Sequence, residues 1–188
     1  MHWPISLRGA PPVFLALCLA ITAAHAETVS DAQTLVRLRK PLEREAQVIR
    51  FMLAVSPFEG SSGYAECTIR KSQEPMRRYF ETLYATQLNK DELRQAVAFY
   101  ASREGQEVVL LKLQHEQNIF NAARDGGQMS ETPPPLPAAV QAALDAFTRT
   151  SVGRFFSGED LEARVPFRGE VAELRSTALA GCFATGGK

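Results

Sequence analysis

Met76, Tyr79, Phe80, Leu83, Tyr84 and Leu88 fall at i, i+3, i+4 and i+7 spacings, which gather them on one face of an α-helix. The same period recurs along most of the chain. Leu35, Val36, Leu38, Leu42, Val48, Ile49, Met52 and Leu53 follow it behind a capping-box pattern, Ser30-x-x-Gln33. Pro41 interrupts that run and predicts a kink or two short helices. Ser56-Pro57 through Gly63 reads as a loop, and the next helix is expected to open at Ser72 with Pro75 in its first turn. Several strictly alternating apolar runs, the mark of a sheet, are nowhere found. The chain is therefore expected to be all-α, a compact bundle of about five to seven helices.

The middle of the chain carries its clearest punctuation. Asn89-x-x-Glu92 is a second capping box, ahead of Leu93, Ala96, Val97 and Tyr100 on one face. Ser102 is placed to cap a long helix with Val108, Val109, Leu111, Leu113, Ile119 and Phe120 inside, ended by Asp125-Gly126-Gly127. Thr132-Pro133-Pro134-Pro135-Leu136-Pro137 reads as a stiff, extended linker near 130–137. Beyond it Val140, Leu144 and Phe147 resume the pattern, followed by Leu161 and by a last helix with Val171, Leu174 and Leu179.

Residues 98–105 and 146–153 share the pattern A-F-x-x-[ST]-x-x-G, 48 residues apart. The four matched positions stand either as a duplication or as a coincidence. In both cases an aromatic closes one helix, a hydroxyl caps the next, and glycine three residues on allows close backbone approach. The stretch Asn89–Gly105, with Glu92, Leu93, Phe99, Tyr100, Ser102 and Gly105 at the matching positions, resembles the signature of the bacterial family called domain of unknown function 2059. The resemblance covers about residues 76–125. It departs at Arg103-Glu104, where that family often has proline, and at the proline-rich linker. It implies a small exported helical protein, and no activity, cofactor or catalytic residue.

The N-terminus reads as an address. Arg8 precedes an apolar run of 12 residues, Val13–Ala24, and Ala24-His25-Ala26 offers small residues to a cut between Ala26 and Glu27. The run is shorter than the roughly 20 residues a membrane-spanning helix needs. A cleaved signal peptide, 1–26, and a single helical domain, 27–188, located in the periplasm or secreted, are thus expected. Removing 1–26 takes away the only tryptophan, two of three histidines and Cys18. Cys67 and Cys182 remain, and in an oxidising compartment they are expected to form one disulfide, with two buried thiols as the alternative. The bond would close a loop worth about 4–5 kcal/mol in the chain-entropy account.

The balance of 21 basic and 21 acidic side chains gives no electrostatic case for nucleic acid. His115, the one histidine left, lies in His115-Glu116-Gln117-Asn118-Ile119, where Ile119 replaces the second ligand of a zincin helix. Two cysteines and one histidine do not complete a tetrahedral metal site, and no Walker loop, G-x-S-x-G or G-x-G-x-x-G occurs. No catalytic, cofactor-binding or metal-ligating residue is therefore assigned. The aromatic concentration at Tyr79, Phe80, Tyr84, Phe99 and Tyr100 is expected to be core, with a ligand pocket as the lesser reading. The function expected is that of a non-enzymatic binding or interaction module whose partner is an envelope protein or an apolar ligand. The alternatives are a hydrolase-type enzyme using Glu107 and His115, and a structural assembly subunit.

Overall fold

The computed structural model describes residues 28–56, 61–127, 132–158 and 167–186; the expected signal peptide and Leu161 lie outside them. The described residues form helices and no strands, the all-α bundle that the apolar period predicts. In chain order the helices are α1 (28–39), α2 (Pro41–Ala54), α3 (Ser61–Gln87), α4 (Lys90–Ala101), α5 (Arg103–Arg124), α6 (Ala138–Thr148), α7 (Ser151–Ser157) and α8 (Phe167–Phe183). The principal core gathers Leu35, Met76, Phe80, Tyr84, Leu93, Val152 and Phe155, all at most 2% exposed. A smaller cluster of Ile49, Leu53 and Ala65 sits between α2 and α3, with Leu179 of α8 against it. No helix among the described residues is long and apolar enough to cross a membrane.

Two sequence expectations need correction at the start of the bundle. Ser30 is not a cap, because residues 28–30 are already helical. The long helix does not begin at Ser72 either: α3 starts at Ser61 and carries Pro75 in its interior. Proline there lacks the N–H that would close on the Lys71 carbonyl. Packing on both sides offsets that loss. Ala65, Cys67, Thr68, Ser72 and Met76 are all buried along α3, which runs between α2 and α8. Cys67 and Cys182 are bonded across α3 and α8 with Cα atoms 6.0 Å apart, and Lys71 Nζ donates to the Gly181 carbonyl at 2.7 Å. Pro41 acts as expected. Lys40 takes the left-handed conformation (φ 54°, ψ 43°) and Pro41 opens α2, so the chain turns there instead of continuing as one helix.

The two A-F-x-x-[ST]-x-x-G segments form the same corner. Asn89 caps α4 in a complete capping box with Glu92. At the end of α4 the Ser102 hydroxyl donates to the Phe99 carbonyl (2.6 Å) and accepts from Gly105 N–H (3.0 Å). Between α6 and α7 the Thr150 hydroxyl donates to the Phe147 carbonyl (2.7 Å) and accepts from Gly153 N–H (3.0 Å). The corners meet face to face, with Phe99 and Phe147 stacked at 3.9 Å between ring centres. Packing of α4 on α7 and of α5 on α6 then pairs each unit's first helix with the other's second, as a local two-fold relation requires.

Candidate functional site

The six positions that carry the family resemblance are structural. Glu92 receives the Asn89 N–H on one carboxylate oxygen and the Ser151 hydroxyl, from the second corner, on the other. Leu93 is fully buried, Phe99 stacks on Phe147, and Ser102 and Gly105 make the corner. Tyr100 is different, because it also faces a cavity.

That cavity measures about 620 Å³ and lies between α2, α3, α5, α7 and α8. Its apolar wall includes Phe80, Leu83, Val108, Val109, Phe155 and Val171. The size falls within the about 300–1,000 Å³ of small-molecule pockets. Of the five aromatic residues expected as core, Phe80, Tyr84 and Tyr100 are core and pocket at once, while Tyr79 and Phe99 are half-buried and do not line the cavity. Phe80, Tyr84 and Tyr100 are buried against their neighbours and present their remaining surface to the void.

Arg39 also lines this space. It is the last residue of α1, directed there by the break at Lys40, and it shares the buried stripe of Ala32, Leu35 and Val36. Its guanidinium lies 3.9 Å from the centre of the Phe156 ring, 5.2 Å from that of Tyr100 and 5.8 Å from that of Tyr84. One Nη donates to the Tyr84 hydroxyl at 2.7 Å, while Nε is shut off from solvent with no hydrogen-bond partner. Burial pushes the Tyr84 phenol above its ordinary value against the pull of Arg39. The cage solvates the cation with ring quadrupoles, at about 2 kcal/mol for a desolvated contact. It supplies no negative charge, and no ion pair to Arg39 is present among the described residues.

The other charges on the wall are arranged around two carboxylates. Glu45, on the buried stripe of α2, lies 3.6 Å from Arg175 Nε and 3.7 Å from Arg44. Its Oε2 is buried without a hydrogen bond, as is Arg175 Nε. Burial holds the Glu45 carboxyl above the usual range; Arg175 and Arg44 pull it down, and Glu116 adds to the rise. Arg44 Nε bonds both oxygens of Glu116 at 2.9 and 2.8 Å. Lys112 has its ammonium lowered by desolvation first and by Arg39 next, with Glu116 opposing. Four cations therefore line the cavity against two carboxylates, and both carboxylates are engaged by Arg44 or Arg175.

Glu107 and His115 lie on α5, eight residues and about 12 Å of helix apart. Neither lines this cavity or a second one of about 410 Å³ beside α2 and α3. No hydrogen bond or ion pair joins them among the described residues. Among the described residues no group of three or more His, Cys, Asp or Glu is placed to hold a metal ion. Sequence reasoning missed Arg39 and Glu45. The available signal was a charged residue in register with a buried stripe, Ala32-Leu35-Val36-Arg39 and Leu42-Glu45-Ile49. No family model, curated protein or solved structure matches the chain.

Proposed function

We propose that this is an exported, non-enzymatic binding protein that takes an apolar ligand into the cavity between α2, α3, α5, α7 and α8. The observation that carries the reading is the cavity itself. A cleft of about 620 Å³ whose wall includes Phe80, Leu83, Val108, Val109, Phe155 and Val171 offers a ligand apolar surface at the size of a small-molecule site. Export is supported by the N-terminal pattern and by the Cys67–Cys182 bond, which suits an oxidising compartment. Kinship with the family called domain of unknown function 2059 rests on the α4–α5 corner and adds no chemistry.

Titration with a neutral apolar dye such as N-phenyl-1-naphthylamine tests the binding. The folded protein is expected to enhance dye fluorescence saturably, and Leu113→Trp, which places an indole at the cavity wall, is expected to abolish the enhancement while circular dichroism stays unchanged. Equal dye binding by the blocked variant would refute the cavity as the site. Export is checked by the mass of the protein in a periplasmic extract, expected to begin at Glu27; retention of residues 1–26 there would count against a cleaved signal.

A further inference from the structure

We propose that the ligand is a single-chain amphiphile with an anionic head, and that Arg39 binds that head while the tail lies along the apolar wall. This rests on the reading of the cavity as a ligand site and adds what the ligand must carry. Arg39 is a half-buried, permanently charged group, its Nε shut off from solvent, whose neighbours are three aromatic rings and the phenol hydroxyls of Tyr84 and Tyr100. A desolvated cation without a counter-charge is a costly arrangement, and the other two arginines on this wall have carboxylates beside them. Arg44 is held by Glu116, and Arg175 faces Glu45. Arg39 alone among these arginines has a buried N–H donor, Nε, with neither a hydrogen bond nor a carboxylate near it. The planar fork of guanidinium donors matches the two oxygens of a carboxylate or the oxygens of a phosphate.

The rest of the site is consistent with a head at Arg39 and a tail along the apolar wall. Lys112 supplies a second basic group on the same cavity. The Phe156 ring centre lies 3.9 Å from the guanidinium carbon, a contact that restricts the side chain before the head arrives. Val108, Val109 and Phe155 offer only carbon to the tail behind the head.

The test uses displacement of the neutral dye by dodecanoate, dodecyl phosphate and dodecanol, each below its micelle concentration. Wild-type protein is expected to prefer at least one of the anions to the alcohol by about tenfold or more, the worth of a charge-assisted hydrogen bond. Preference for dodecanoate identifies a carboxylate head and preference for dodecyl phosphate a phosphate head. Arg39→Met, which keeps an unbranched stem under the rings, is expected to level the three competitors when each is scaled to the variant's own dye affinity. If the dye binds and all three compete equally in the wild type, the anionic head is wrong and the apolar site stands. Should the dye fail to bind, both fall together. The wild-type comparison needs no variant, so a misfolded Arg39→Met would not shelter the proposal.

Discussion

The α4–α5 and α6–α7 corners agree bond for bond, within 0.1 Å, in the hydroxyl-to-carbonyl and glycine-to-hydroxyl contacts, and they differ in the helix that each one launches. Gly105 stands in a helix of 22 residues; Gly153 stands in one of seven, which stops at Gly158 in the left-handed region (φ 95°). The first corner sends Val108 and Val109 to the cavity, the second Phe155 and Phe156. Val108 and Phe156 are themselves 48 residues apart, in the same register as the corners. One local rule has thus built two walls of one cavity. The residues that the rule leaves open decide what each wall offers: a small aliphatic side in one case, an aromatic platform for Arg39 in the other.

The most direct way to break the comparison is at the glycines. A Cβ on Gly105 would stand 2.0 Å from the Phe99 carbonyl oxygen, and one on Gly153 1.9 Å from that of Phe147, so the obstruction is backbone in both corners. Gly105→Ala and Gly153→Ala are each expected to cost about 3 kcal/mol or more in urea unfolding, since the helices must part. The cost at Gly105 should be the larger. Helix α5 packs on α2, α4 and α6 along 22 residues, whereas α7 packs mainly on α4 and α6 over only seven. An alanine tolerated without loss at either position would show that the close approach does not fix that corner.

The caps come next in size. Ser102→Ala and Thr150→Ala each remove the acceptor for a glycine N–H and a donor to the aromatic residue's carbonyl. Each is expected to cost about 1–2 kcal/mol. Equivalence of the corners requires the two values to agree within about 0.5 kcal/mol, the usual scatter for independent sites. A larger gap would mean that the match of distances conceals unequal dependence on the cap.

Much of this scaffold was legible because its chemistry is local. A capping box, a hydroxyl cap and a glycine at the third helical position act across three residues, so Asn89, Glu92, Ser102 and Gly105 could be placed from spacing alone. What was not legible depended on partners distant in sequence. Ser61, Gly63 and Pro75 read locally as loop and helix start, yet α3 runs through all three, because α2 and α8 and the bond to Cys182 hold it from both sides. Nothing in the local sequence Arg37-Leu38-Arg39-Lys40 sets Arg39 apart from the other two basic residues. Its cage comes from α3, α4 and α7, and only the tertiary fold brings Tyr84, Tyr100 and Phe156 together.

The contact between the corners can be measured by itself. Phe99→Leu and Phe147→Leu keep apolar bulk and remove the stacked rings, and a double-mutant cycle is expected to give a coupling of about 1 kcal/mol. Zero coupling would mean that the corners are separate units that happen to adjoin.

The smallest expected effect marks where the two-fold relation ends. The residue after the cap is Arg103 in the first corner and Ser151 in the second, and only Ser151 reaches back to the other unit, donating to Glu92 at 2.7 Å. Glu92 thereby closes the α4 capping box with one oxygen and fastens the start of α7 with the other. Ser151→Ala removes a single exposed bond to a charged acceptor and is expected to cost about 0.5 kcal/mol. Glu92→Gln keeps an acceptor for the hydroxyl and a partner for the Asn89 N–H, and should cost no more. Glu92→Ala loses both at once and is expected to exceed Ser151→Ala by about 1 kcal/mol, the worth of the cap. If the two alanine variants cost the same, Glu92 serves the second corner and not its own helix, and the capping box it completes contributes nothing to stability.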